Sequence, residues 1–256
     1  MNPVSGAASR PWPYPRWIAH RGGGVLAPEN TLAAFECGLR HGYRAAEFDA
    51  VLSLDDVPVV LHDETLDRTT GATGLVSEWT AARLATLDAG SWFGEQFARA
   101  RIPLLEEVLA FAHANGIWLN VEIKPVPGHE QRTGALVAQA VARFLASSEA
   151  MRRPGPLLSS FSAQALESAR AAAPELARGM LFGAVPREWR KLLEPLDCVS
   201  LHCDHRHLEE KRVQEIKAAG LGILCYTVNE AGRARELLSW GVDAICTDRI
   251  DLLGPS

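Results

Sequence analysis

Short apolar, β-rich runs take turns with longer Ala-, Leu- and Arg-rich segments of helical pattern along most of this chain. The strand candidates are residues 17–20, 45–51, 57–61, 117–123, 156–160, 177–182, 198–201, 222–228 and 244–247. The helical candidates include 31–42, 104–115, 134–147, 163–173, 208–219 and 230–240. Gly42, Gly116, Gly220 and Gly241 each stand just past a helical run, where a C-cap is expected. Such alternation predicts a parallel sheet with helices outside it. A length of 256 residues, 47% of them apolar, suits one (β/α)8 TIM barrel with a sizeable core.

The strand candidates number one too many for eight. Parallel neighbours need a crossover of a dozen or so residues, and the acidic turn Asp55-Asp56 is far too short to provide one. Residues 57–61 therefore fold back antiparallel as a hairpin outside the ring, after strand two, at the C-terminal mouth where barrel active sites lie. Residues 63–103 hold the longest stretch without a barrel element, so residues of about 52–103 are expected to form a small insertion on a single domain spanning 17–256. Residues 1–16, "MNPVSGAASRPWPYPR", are Pro-rich, have no apolar h-region, and are expected to be a disordered or extended lead-in. A net charge of −5 without a basic stripe argues against a nucleic-acid partner. No apolar run is long enough to predict membrane insertion. The five cysteines, an odd number with no C-x-x-C, point to a reducing cytoplasm rather than a disulfide framework.

The chemistry concentrates at the strand ends. Side chains two apart on a strand share a face, so Glu47 and Asp49 project together, and if Phe48 packs outward on the helices both carboxylates enter the barrel mouth. The next barrel strand, "WLNVEIKP", places Glu122 and Lys124 on one face. A single carboxylate at a strand end is ordinarily a solvated charge or half of a salt bridge. Three converging carboxylates repel one another or take up protons, unless a divalent cation joins them, and an all-oxygen set favours Mg²⁺ or Ca²⁺. Strand one ends in "IAHRG", placing His20 and Arg21 at the same mouth, and the hairpin swings His62 back over it. Two histidines beside a metal site suit acid/base work near neutral pH. With Arg21 and Lys124 added, the set fits a phosphate ester.

Other residues invite weaker readings. Tyr226 and Phe161 could line an alcohol pocket or simply pack. "CVSLHCDHRH" resembles a zinc cluster, but its spacing matches no standard finger, and Cys198 and Cys203 differ in strand parity. His202, taken as the end of its strand, could touch substrate. Glu29 and Asn30 are expected to brace the loop and cap the helix near Thr31.

"AHRGGGVLAPENTLAAFECG", "EFDAVLSLDDVPVVLHDETLDRTTGATG", "VEIKP" and "YTVNEAGRARELLSWGVDAICTD" together resemble the glycerophosphodiester phosphodiesterase family, most closely its bacterial cytoplasmic form, from about Trp17 onward. The resemblance implies an acid/base pair in His20 and His62, one divalent ion on Glu47, Asp49 and Glu122, phosphate contacts from Arg21 and Lys124, and hydrolysis of glycerophosphodiesters to sn-glycerol 3-phosphate and an alcohol. The family's common Asp-Gly at the hairpin turn is Asp55-Asp56 here, which the turn tolerates because Asp accepts a positive φ. A phospholipase acting on intact lipids would need an apolar rim or a secretion signal. A non-catalytic barrel binding a phosphorylated ligand would not need the histidine pair, and a lyase or isomerase acting on a sugar acid would not need the second histidine.

Overall fold

The structure is a computed structural model that describes residues 12–147 and 154–255. Nine strands form one sheet: β1 (Trp17–Ala19), β2 (Ala45–Leu52), β3 (Pro58–Val60), β4 (Trp118–Ile123), β5 (Leu157–Ser160), β6 (Ala177–Phe182), β7 (Ser200–Asp204), β8 (Gly222–Tyr226) and β9 (Ala244–Thr247). All except β3 run parallel, and the ring closes because β1 pairs with both β2 and β9. The remaining eight strands are thus a closed (β/α)8 barrel. The hairpin is where the short turn places it. β3 pairs antiparallel with the C-terminal extension of β2, Val51 opposite Val59, beyond the point where β1 stops. Asp56 takes φ +62° at the turn, so the acidic pair there is tolerated as expected.

The α-helices are α1 (Leu32–Arg40), α2 (Ala81–Leu84), α3 (Leu105–Asn115), α4 (Glu130–Ser147), α5 (Ala163–Ala172), α6 (Trp189–Leu193), α7 (Glu210–Ala218) and α8 (Ala231–Trp240), with short 3-10 turns between some of the elements. All four glycines read as helix stops have positive φ, and Gly116 and Gly241 are left-handed C-caps. α4 starts at Glu130, four residues before Gly134, where the sequence pattern begins. Gly134 lies inside the helix because a Cβ there would meet the Ala165 carbonyl oxygen at 2.1 Å, so its bareness lets α4 approach α5. The short α6 was not anticipated; its five residues carry too little periodicity to stand out.

The strand faces divide the core. Phe48 and Val121 point outward to the cluster under α1, α3, α4 and α5, where the Phe35 and Phe48 rings meet edge-on at 5.6 Å. Between the hairpin and α3, Val59, Leu61, Leu66, Val76, Leu84 and Ile102 gather into their own apolar cluster. Ile18, Trp118, Leu157, Leu224 and Ala244 form another cluster, on which Trp12 and Tyr14 pack. The expected lead-in of residues 1–16 falls mostly outside the described residues, but its last part is fixed. The Tyr14 ring lies 4.5 Å from that of Trp118 and Trp12 stands edge-on to both.

Candidate active site

The acidic cluster follows from strand register. β2 and β4 pair so that Glu47 stands opposite Asn120 and Asp49 opposite Glu122. Two carboxylates thus sit side by side at one height with a third one turn of the pleat below, while Phe48 between them faces the helices. Their ligand atoms all lie within 4.8 Å of one another. Burial, followed by repulsion from Asp49, pushes the Glu47 carboxyl up to about 7. Glu122 is also raised well above the usual range, by burial and then by Asp49 and Glu47. Burial and the mutual repulsion of neighbouring carboxylates both favour proton uptake. The donor set, all oxygen and mostly buried, fits a hard divalent cation. Lys124 offsets part of the charge, its Nζ lying 3.6 Å from Asp49 and 3.8 Å from Glu122.

A buried asparagine orients the cluster. Asn30 Nδ2 donates to Asp49 Oδ2 at 2.9 Å, and the Asp49 backbone N–H donates to Asn30 Oδ1 at 3.3 Å. The helix cap itself is Thr31, whose hydroxyl accepts from the Ala34 N–H. Asn30 therefore braces a carboxylate of the cluster and does not cap α1, and its φ of +61° turns its side chain there. Arg21 also has a left-handed backbone, φ +49°, a strain expected at functional positions. Its backbone N–H donates to Glu47 at 3.2 Å, Nη1 donates to Glu29 at 2.7 Å, and Nε stands 3.7 Å from Asp49. The glycines that follow let this loop hug the end of β9: at Gly24 a Cβ would lie 2.0 Å from the Asp248 carbonyl oxygen.

Both histidines flank the cluster, and each is backed by a carboxylate. His20 Nδ1 lies 2.5 Å from Asp248 Oδ1, and its Nε2 stands 3.8 Å from Glu47. Burial opposes its charged form, but the Asp248 hydrogen bond and the charges of Glu47 and Asp248 outweigh that, so the ring holds its proton to higher pH than a free histidine. His62 Nδ1 lies 2.6 Å from Asp63 Oδ1. Here burial prevails, aided by Arg21 and Lys124, and the ring loses its proton at lower pH despite Asp49 and Asp63. Asp248 is held in turn by Asn229, which donates to Oδ2 at 2.9 Å. Sequence reasoning assigned no role to Asp248 or Asp63; a carboxylate immediately after an apolar strand at the mouth is the signal that could have found Asp248.

The structure brings His20, His62, Glu47, Asp49, Glu122, Arg21 and Lys124 together and sets His202 apart. β7 runs on to Asp204, so His202 lies within the strand rather than at its end. It is fully buried, its Nε2 lies 2.9 Å from the Ser200 hydroxyl, and burial pushes it down to about 3. The polar "HCD" run of residues 202–204 reads as loop in the sequence, but the strand continues through it and ends at Asp204. The same shift corrects the parity argument for the cysteines: Cys198 precedes the strand and shares one apolar cluster with Cys203. Tyr226 does sit at the mouth, but its hydroxyl donates to the Phe182 carbonyl at 2.8 Å and its ring meets the exposed Phe161 edge-on at 6.1 Å. Phe161, Glu122 and Lys124 border a cavity of about 300 Å³ beside the carboxylates.

A closed parallel barrel with an acidic, histidine-flanked centre at its C-terminal mouth defines the class of the molecule. The family model described as "Glycerophosphoryl diester phosphodiesterase family" matches residues 20–252, and the chain belongs to that family. A glycerophosphodiester phosphodiesterase of Caldanaerobacter subterraneus subsp. tengcongensis is 33% identical over 90% of this chain and 93% of its own. One of Bacillus subtilis (strain 168) is 32% identical over 92% and 84%. Among solved structures, a phosphodiesterase of Oleispira antarctica in complex with the product sn-glycerol-3-phosphate superposes with a TM-score of 0.84 at 39% identity, over 91% of this chain and 93% of that one. Among the described residues, no helix is long and apolar enough to cross a membrane.

Proposed function

We propose that this protein hydrolyses glycerophosphodiesters to sn-glycerol 3-phosphate and an alcohol, with one divalent cation, Mg²⁺ or Ca²⁺, held by Glu47, Asp49 and Glu122. The observation that carries the reading is the in-register carboxylate cluster flanked by two carboxylate-backed histidines, in a chain of this family. The bound cation would supply Lewis-acid stabilisation of charge developing on the phosphoryl oxygens. Arg21 and Lys124, already paired with the cluster, orient the phosphate from either side. His62 has Nδ1 engaged by Asp63, which leaves Nε2 as a proton acceptor, and burial keeps the ring unprotonated near neutral pH, as a general base requires. His20 holds its proton more firmly and is the general acid that protonates the leaving oxygen. The base takes its proton from a neighbouring glycerol hydroxyl, giving a cyclic phosphate that water opens, or from water itself. The catalytic domain is residues 17–256, and the free, buried cysteines support a cytoplasmic setting. The test is turnover of glycerophosphocholine with Mg²⁺ or Ca²⁺, read as released glycerol 3-phosphate. We expect turnover that EDTA abolishes; undiminished activity in EDTA would end the metal reading, and no turnover at all would end the substrate reading.

A further inference from the structure

Arg68 lies in the loop beyond the hairpin with its side chain 44% exposed, away from the carboxylate cluster. Its guanidinium nevertheless donates four hydrogen bonds to two carboxylates. Nε and Nη2 reach the two oxygens of Asp63 at 2.6 and 3.0 Å, and Nη1 and Nη2 reach the two oxygens of Glu29 at 2.7 Å each. Asp63 Oδ1 is the atom 2.6 Å from His62 Nδ1, and Glu29 Oε1 is the atom that accepts from Arg21. One exposed residue thus ties the loop after β1 to the hairpin after β2, with one end of the chain of bonds on His62 and the other on Arg21.

Exposed ion pairs usually contribute little to stability, so a doubly bidentate arrangement at this place asks for another reason. A histidine acting as a base must present one nitrogen with its lone pair free, and the hydrogen bond at the other nitrogen decides which one that is. Asp63 can do this only if its carboxylate plane is fixed. Arg68 occupies both of its oxygens and, through hydrogen bonds first of all, holds it well below the usual carboxylate range, so it stays an acceptor. A planar guanidinium can give each of two carboxylates its own pair of hydrogen bonds at once, whereas an ammonium group, with three donors on one atom, cannot.

We propose that Arg68 is a positioning residue of the two-histidine centre: by clamping Asp63 against Glu29 it holds His62 in the Nδ1–H tautomer, with Nε2 turned to the substrate. The proposal rests on the reading of His62 as an acid/base group. Arg68 touches no reacting atom, and its effect passes through His62.

Three measurements on the full chain test it. With glycerophosphocholine and saturating cation, Arg68→Ala should lower kcat on the order of tenfold to a hundredfold, as loss of an orienting partner does, with KM little changed; Arg68→Lys should recover part of the loss. In a His62→Ala background, adding Arg68→Ala should cost no more than about twofold, because residues acting as one unit are not additive. Ring ¹⁵N NMR of His62 should show one Nδ1–H tautomer in the wild type and a mixture in Arg68→Ala. An Arg68→Ala enzyme with wild-type kcat, an equal loss in the His62→Ala background, or an unchanged tautomer would each overturn the proposal. The NMR signature needs no turnover. If the wild type failed to hydrolyse glycerophosphocholine, the substrate reading would fall while the role of Arg68 would still be decided.

Discussion

Glu47 offers a test of whether the acidic cluster is built for a cation, and the sign of the effect is opposite to that of a salt-bridged carboxylate. Its carboxyl is raised from an ordinary 4.5 to about 7, by burial first and by Asp49 second. Between those two pH values the folded, cation-free protein binds a proton that the unfolded chain does not. Stability is therefore retained at low pH and declines as pH rises through that window. At about 1.4 kcal/mol per pH unit, the gap amounts to about 3 kcal/mol by pH 8. Urea unfolding in EDTA at pH 5 and pH 8 measures it, with Glu47→Gln as the control that cannot ionise. We expect the wild type to lose on the order of 3 kcal/mol relative to the variant across that range. Saturating Mg²⁺ or Ca²⁺ should reverse the trend, stabilising the wild type most at pH 8 and releasing protons on binding at pH 6. If wild type and Glu47→Gln show the same pH dependence in EDTA, the electrostatic account of the cluster is wrong.

Other perturbations probe the remaining parts. His20→Ala and His62→Ala should each fold normally and each lose activity by on the order of 10²–10⁴ in single-turnover assays, while the double variant should be little worse than the poorer single one. Asn30→Ala removes the donor to Asp49 Oδ2 and should weaken cation binding about tenfold or more by calorimetry, with activity restored at high cation concentration. At the hairpin tip, Asp56 holds φ +62° and pairs with Arg132. Asp56→Val should destabilise by about 1–3 kcal/mol in thermal unfolding because a β-branched residue resists that backbone, whereas Arg132→Ala, at an exposed ion pair, should leave the unfolding transition nearly unmoved.

The fold was legible where the chain itself carries the constraint. Two residues at Asp55-Asp56 cannot make a parallel crossover, and that alone separates the hairpin from the barrel. Glu47, Asp49 and Glu122 were legible for a similar reason: strand parity puts the first two on one face, and the following barrel strand brings the third. Register was not legible, so nothing in the sequence showed that Asp49 and Glu122 would be level. Which carboxylate His20 meets depends on a long-range contact. His62 and Asp63 are adjacent in sequence, yet Asp248 reaches His20 only because the last strand closes on the first. His202 was misplaced because polar residues at a strand's C-terminal end read as loop, when in a barrel that end is where the interior turns polar.

The two histidine–carboxylate pairs also differ in when they can exist during synthesis. His62 and Asp63 are neighbours in a hairpin that the ribosome delivers early, whereas His20 and Asp248 are separated by 228 residues. Until Ala244–Thr247 emerge, β1 has only β2 beside it and its other edge is bare. Translation of a chain this long takes on the order of tens of seconds, and an unpaired strand edge over that time is a template for wrong partners. A contact spanning nearly the whole chain is also a slow one to make. His20 gains its partner carboxylate only when the ring is complete, so an unfinished barrel holds one of the two histidine–carboxylate pairs and lacks the other.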